Sequence, residues 1–356
     1  MGSSADAPTE GRAVPDPGAA AHALAVGRIA SAPGLPVLRA GAVLDRLRRL
    51  VPYEAGAVVL LVPQTRLLVT VAERDGAGRL RTAATGRAAL RDSDRIAACG
   101  PAAAVHVCHH GDGPGHLPGW RHHLGRSGLP HAVLVGLFTS GRRYLGFVVL
   151  LGGAAPSPPP AVRALLRGLA PSMADAVDPL RAPAAAAELL AGCTAGVALC
   201  RSGRALPLPG LPGHSSLRTG SPVLVLAAVI AARTAHLDFL QPSTVGQRSA
   251  YTRVTVLSCG PCPPYDVVAV VLLSPAGELY GLTRRELQIA GLVVEGCTNQ
   301  RIASTLHIAE RTVAAHIEHV LPKLGAASRT QIAVRVLARG LYLPNPARLG
   351  PPGTDT

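Results

Sequence analysis

Lysine is almost absent from this chain: among 356 residues only Lys323 is one. A phosphate-binding loop of the form G-x-x-x-x-G-K-[ST] needs a lysine at the phosphates, so none can lie upstream. Lysine Schiff-base chemistry is excluded there for the same reason. Aromatic residues are 3% of the chain, with one tryptophan, so no stacking-based ligand site is visible. Apolar runs are short. The longest, such as 223–232 and 144–151, fall below the roughly 18 residues of a membrane-crossing helix. The opening MGSSADAPTEGRAVPDPG lacks a basic segment followed by an apolar core, so it does not read as a secretory leader. Residues 1–36 are expected to be a disordered lead, residues 345–356 a disordered tail, and the chain cytoplasmic. Of the seven cysteines, Cys99, Cys108, Cys193, Cys200 and Cys297 show no framework spacing, which suits reduced thiols in that compartment. Acidic side chains are also few. Asp+Glu number 21 against 35 Lys+Arg, giving a net charge of +14 and a pI near 10.5. That balance suits a polyanionic partner.

What is present is concentrated toward the end. Between Leu282 and Leu341 four segments of helical period follow one another, each with start and stop signals. Thr283 and Glu286 have the spacing of a capping box. Behind them Leu287, Ala290 and Val294 recur at helical spacing, and Gly296 stands where a left-handed residue ends a helix. Thr298 opens a short second helix with Ile302, Ala303 and Leu306 inward. His307, Ile308 and Ala309 make a tight connection. A third helix from Glu310 places Val313, Ile317, Val320 and Leu324 on one stripe and ends at Gly325. Ser328 and Gln331 make a second capping box, for a fourth helix with Ile332, Val336 and Leu337 inward and Gly340 as its stop. Two helices joined by a three-residue turn, the second polar on its outer face, is the helix-turn-helix pattern. That outer face carries Arg311, Thr312, Ala314, Ala315, Glu318 and His319, with Lys323 at its end. The spacing by itself also suits a plain four-helix packing unit with a solvated face.

The residues themselves narrow the choice. The run LTRRELQIAGLVVEGCTNQRIASTLHIAERTVAAHIEHVLPKLGAASRTQIA resembles the LuxR-type helix-turn-helix domain. The resemblance rests on Leu282-Thr283, Arg285-Glu286, Gly296, Asn299, Ile302-Ala303, Leu306, Thr312-Val313, His316, Lys323-Leu324-Gly325, Ser328-Arg329 and Ala333. It implies a recognition helix in the major groove and a dimer whose last helix packs on its twin. Output domains of this type are often joined to phosphoacceptor receiver domains, but those need a lysine that this chain lacks upstream. The sequence also departs from the family pattern. The position after Val313 is commonly lysine and here is Ala314. Ala315 and Glu318 stand where side chains often face bases; alanine can pack on a thymine methyl and glutamate can accept from cytosine N4, but neither neutralises phosphate. Ala309 replaces the usual serine cap, at a cost of roughly 1 kcal/mol. Pro322 lies inside the third helix, where a bend is expected. Phosphate contacts are assigned to Arg311, Thr312, Lys323 and Arg329, with Thr298 and Asn299 at a helix start.

Upstream, residues 37–51 look like an amphipathic helix. Strand candidates follow at 57–62, 67–73, 131–138 and 144–151, the last two paired across a five-residue turn, then a helix at 162–177. Helix, strand pair, irregular middle, strand pair and helix resembles a GAF domain, a small-molecule sensory module, over residues 37–182. Residues 188–275 order a hairpin at 196–207, a helix at 222–233 and strands at 236–240, 251–258 and 267–273, which resembles a reduced PAS-like sheet. The fold class is therefore multidomain: a GAF-like α+β sandwich, a smaller PAS-like α+β unit, and an all-α LuxR-type domain at 280–344.

Two constellations invite a different reading. Cys259-Gly260-Pro261-Cys262 has the letters of a thioredoxin site, whose thiolate needs a helix N-terminus, but Pro263-Pro264 follows at once and a loop between strands is expected. His106, Cys108, His109, His110, His116, His122, His123 and His131 could ligate a metal or haem, or line a polar loop over a sensor pocket. The sequence reading is a transcriptional regulator without enzymatic activity, cofactor or metal. Its partners are duplex DNA, a second copy of the chain, the transcription machinery such as RNA polymerase, and an unknown small-molecule or protein signal. The alternatives are a protein-binding adaptor with a weakened DNA head, and a redox or metal enzyme.

Overall fold

The structure, a computed structural model, describes residues 17–75, 79–109, 117–152, 158–190, 192–242 and 251–345. The chain divides into two compact units, Met1–Asp178 and Pro179–Thr356.

The first unit opens with helices α1 (Pro17–Ser31) and α2 (Pro36–Leu47) and strands β1 (Ala55–Val62) and β2 (Leu67–Arg74). Helices α3 (Arg79–Thr85) and α4 (Arg87–Cys99), strand β3 (Val105–His109) and helix α5 (Pro118–Ser127) come next. Strands β4 (His131–Phe138) and β5 (Tyr144–Gly152) and helix α6 (Pro160–Val177) complete it. One antiparallel sheet results, in the order β2-β1-β5-β4-β3. Its side chains alternate between two cores, as a period of two requires. Val133, Val135, Val148 and Leu150 share one with α1, α2 and α6. Ala132, Leu134, Phe147 and Val149 share the other with α3, α4 and α5, around Trp120 and Ile96. Helices cover both faces, so β4 is buried along its whole length and its sequence is continuously apolar. This is an α+β sandwich, one antiparallel sheet between two helical layers.

Two expectations are corrected here. Residues 17–31 belong to the segment expected to be disordered, yet they form α1. Its alanines favour helix, and Val26 and Ala30 are buried in the core. The segment expected to be irregular between the strand pairs holds α3, α4 and α5. Helix α3 has only seven residues, α4 starts at Gly86 with no side-chain cap, and α5 is held from outside. Asp92 of α4 is buried and accepts from the Trp120 N–H at 3.0 Å, because the residue before α5, Leu117, offers no side-chain cap.

The second unit begins with α7 (Arg181–Leu189), β6 (Ala195–Cys200), β7 (Ala205–Pro207) and α8 (Pro222–Ala231). Strands β8 (His236–Pro242), β9 (Tyr251–Cys262) and β10 (Val267–Pro275) follow. The sheet runs β7-β6-β10-β9-β8, so its first strand pairs with its second and fifth, as in the first unit. Cys259 to Cys262 are the end of β9 rather than a loop, and Cys262 stands opposite Val267. Four helices close the unit: α9 (Arg284–Val294), α10 (Asn299–Leu306), α11 (Glu310–Leu324) and α12 (Arg329–Ala338). Arg253 of β9 fastens sheet to helices. Its Nη2 donates to the Ala276 carbonyl at 2.8 Å and to the Arg339 carbonyl at 3.1 Å. After α12 the chain returns to the edge strand, where Leu240 N–H donates to Tyr342 O at 2.6 Å.

Candidate nucleic-acid interface

Each helix of the C-terminal bundle starts and stops by local chemistry. Thr283 Oγ1 accepts from the Glu286 N–H at 3.3 Å, and Glu286 Oε2 accepts from the Thr283 N–H at 2.7 Å, which completes the capping box. Thr298 accepts from the Arg301 N–H at 3.2 Å. Ala309 has no side chain to cap α11. Ser328 accepts from the Gln331 N–H, but the Gln331 side chain reaches past it and accepts from the Ala327 N–H at 2.8 Å, so this second box is not reciprocal as the spacing had suggested. The C-terminal ends share a Schellman pattern, with paired bonds such as Cys297 N–H to Leu292 O and Gly296 N–H to Val293 O. The left-handed residue is Gly296, Gly325 or Gly340 in three cases. Between α10 and α11 it is His307, at φ 53°.

The core of the bundle gathers Leu287, Ile302, Val313, Val320, Leu324 and Val336. Leu337, expected inside, is 41% exposed. The α11 helix stays helical through Pro322. Opposite its buried stripe, Arg311, Thr312, Ala315, Glu318 and His319 are exposed, while Ala314 is half-buried. Thr298 is exposed at the start of α10 and Asn299 half-buried.

Three of the residues assigned to DNA are engaged inside the domain. Lys323 Nζ lies 2.8 and 2.7 Å from the two carboxylate oxygens of Glu286, and 3.0 Å from the Gly281 carbonyl. Burial works to raise the Glu286 pKa, but hydrogen bonds from Lys323 and Thr283 outweigh it and hold the carboxyl below its usual range. Arg329 Nη1 donates to Asn299 Oδ1 at 2.9 Å, and its Nη2 donates to the Cys297 carbonyl, so Arg329 and Asn299 tie α12 to the turn before α10. Arg285 similarly donates to the Leu306 carbonyl at 3.3 Å, joining α9 to the end of α10. Sequence spacing could not reveal these pairs, since the partners lie 21 to 42 residues apart.

Among the described residues, Glu286, His316 and His319 bring potential metal-ligand atoms within 4.8 Å of one another, but the carboxylate is already neutralised by Lys323. No trio from the histidine-rich segment does so among the described residues; His110 and His116 lie outside them. His106 and Cys108 share one face of β3. Burial pushes the Cys108 thiol up to about 12, which keeps it protonated. His131 is buried and His123 half-buried, and burial lowers both pKa values. Cys259 sits within a strand, and burial raises its pKa, the opposite of what a reactive thiolate needs.

Residues 281–336 match the family of bacterial regulatory proteins, luxR family. The chain is similar to the DNA-binding transcriptional activator DevR/DosR of Mycobacterium tuberculosis, 46% identical over 56 residues, which is 16% of this chain and 26% of that protein. It is also similar to the response regulator protein VraR of Staphylococcus aureus, 42% identical over 65 residues, 18% of this chain and 31% of that one. The chain thus spans about a third or less of the length of these relatives. Among solved structures it is similar to a GAF domain from Pseudomonas syringae pv. tomato, with 19% identity and a TM-score of 0.33, over 49% of this chain and 94% of that one. A helix-turn-helix built on these caps and this core, with matching residues in one order across the bundle, makes the C-terminal segment 281–336 a LuxR-type helix-turn-helix domain.

Proposed function

We propose that this chain is a transcriptional regulator that binds duplex DNA through α11 and receives its signal in the GAF-like and PAS-like regions. One observation carries the reading: α11 turns Arg311, Thr312, Ala315, Glu318 and His319 outward from a buried Val313–Val320–Leu324 stripe in a LuxR-family domain. Arg311 and Thr312 at its N-terminus, with Thr298 at the start of α10, meet phosphates. Ala315 and Glu318 face bases, and His319 flanks them. Lys323, Arg329 and Asn299 act one step back by holding the helices in place. Ala314 packs partly inward. The expected partners are DNA, a second copy of the chain and the transcription machinery, in the bacterial cytoplasm. Among the described residues no helix is long and apolar enough to cross a membrane.

The test is selection of bound sequences from a random duplex pool by the full chain, with Arg311→Ala as control. An enriched motif that the control loses supports the reading. Absence of any bound sequence from a folded chain would sink it. A second reading has its own observation. With Lys323 and Arg329 engaged and Ala314 where the family commonly carries lysine, the outer face holds few cations for phosphate. The chain would then be an adaptor whose α11 binds protein, and genome-wide immunoprecipitation would enrich no DNA site.

A further inference from the structure

The second unit contains a cavity of about 250 Å³ where its sheet meets its helical bundle. Three sources wall it. Val223 and Leu226 of α8 and Phe239 of β8 come from the sheet side, and all three are buried. Leu292 of α9 and Leu306 at the end of α10 come from the DNA-binding domain. The third wall is the segment after α12, at Leu343 and Asn345. That segment is tied at both sides. Its Tyr342 carbonyl accepts from the Leu240 N–H of β8, while the Tyr342 hydroxyl donates to Glu295 at 3.2 Å and the Asn345 N–H donates to the same oxygen at 3.3 Å. It also presses on α9, where a Cβ at Gly291 would lie 2.3 Å from the Leu343 carbonyl.

The polar groups at this cavity are one cation and three amides, with no anion among them. Arg284, at the first turn of α9, lines it, together with the amides of Gln241, Gln288 and Asn345. No aspartate or glutamate is among the lining residues. Among the described residues Arg284 has no carboxylate partner, although Arg48, Arg66, Arg74, Arg95, Arg143 and Arg201 each have one. The positive end of the α9 dipole adds to its field. Apolar walls reject a strongly hydrated solute, while a guanidinium at the mouth selects a planar oxyanion. The volume of about 250 Å³ lies just below the roughly 300–1,000 Å³ of pockets for drug-sized ligands, which limits the guest to a compact molecule.

We propose that this cavity binds a compact apolar monocarboxylate, with its chain against Leu226, Phe239 and Leu292 and its head on Arg284. The DNA-binding domain would read such a guest directly, because α9 and α10 are part of the wall. A guest that prefers one spacing of sheet and bundle shifts the population of domain postures toward it. This coupling rests on the DNA-binding reading above; the binding itself does not.

The experiment is calorimetric titration of the full chain, without DNA, using sodium octanoate, 1-octanol and octylammonium chloride. Saturable binding of octanoate, with octylammonium excluded, is expected. Arg284→Gln should weaken octanoate by about tenfold or more, the loss of a charge-assisted bidentate contact, and leave octanol within about twofold. Leu226→Trp should block both, with circular dichroism confirming the fold. If Leu226→Trp does not fold, Arg284→Gln at the exposed rim decides alone. Failure of octanoate to bind, or equal binding by Arg284→Gln, overturns the site. A DNA titration with and without octanoate then tests coupling. A shift in DNA affinity that Arg284→Gln abolishes supports it, and an unchanged affinity beside calorimetric binding overturns it. Loss of DNA binding under every condition, with octanoate binding intact, would count against the regulator reading and leave the cavity standing.

Discussion

Lys323, the single lysine of the chain, is clasped by Glu286, with its ammonium 2.7 and 2.8 Å from the two carboxylate oxygens. The pair joins the first turn of α9 to the last turn of α11, and Glu286 closes the α9 capping box with the same carboxylate. A family position that invites a phosphate role is therefore one that fixes α11 on its support.

Lys323→Met leaves a buried carboxylate without its cation. The cost typical of breaking a buried pair is roughly 3–5 kcal/mol, and because the Lys323 side chain is 33% exposed, solvent screening trims it to about 2 kcal/mol. Urea unfolding of the full chain should show that loss. The salt dependence of DNA binding should separate Lys323 from Arg311. Arg311→Ala flattens the slope of log K against log salt by about 0.9, whereas Lys323→Met leaves it unchanged. A slope altered equally by both would return Lys323 to the phosphates.

The pH dependence follows from the same carboxylate. Glu286 is held below its ordinary value of 4.5 in the fold, so its contribution is present above that value and disappears as pH falls through the lower folded pKa. The bundle should lose stability through that acid range, and Glu286→Gln should lose part of this pH dependence while being less stable at pH 7. In the first unit His123 and His131 titrate below 6.5 because burial disfavours the cation. Their sign is the same. The unfolded chain takes up protons first, so stability falls as pH drops from 6.5 toward the folded values. His123→Leu should make that decline shallower in a melting series from pH 7.5 to 5.5.

Ala309 has the extended backbone of a helix cap, φ −71° and ψ 147°, with no oxygen to accept from the first turn. Ala309→Ser should supply it and stabilise the bundle by about 1 kcal/mol, read as a higher unfolding midpoint. A neutral result would mean that water already serves those N–H groups as well as a hydroxyl does.

Arg329→Ala removes the link from α12 to Asn299 and to the Cys297 carbonyl. The expected cost is about 1–3 kcal/mol, with faster amide exchange around Cys297 to Asn299. Asn299→Ala should cost less and should add little to Arg329→Ala, since both delete one contact. Independent, fully additive effects would contradict the shared hydrogen bond.

The residues differ in how far the sequence alone reveals their roles. Thr283, Thr298, Ser328, Gly296 and Gly325 act on backbone groups within a turn of themselves, so their spacing stated their roles. The hairpin of β4 and β5 was equally visible, because two apolar runs flank a short polar turn. Helices α3, α4 and α5 were not visible. Helix α3 has seven residues, α4 starts at Gly86 without a side-chain cap, and α5 takes its cap from Asp92, 28 residues away. Nor did α1 stand out, since its alanines sit beside a proline- and glycine-rich opening.

The sequence by itself determined the C-terminal bundle and the outward position of Arg311, Thr312, Ala315 and Glu318, because helical period and capping are local and repeat every few residues. Only the tertiary structure decided which cations are free. Lys323 and Arg329 carry the same formal charge as Arg311 and Arg284. Burying Glu286 and exposing the Cys297 carbonyl to Arg329 engages the first two and leaves the others available. The order shared by the two sheets and the cavity closed by the segment after α12 belong to the same class. They arise where elements distant in the chain meet, and no spacing along the chain encodes that distance in space.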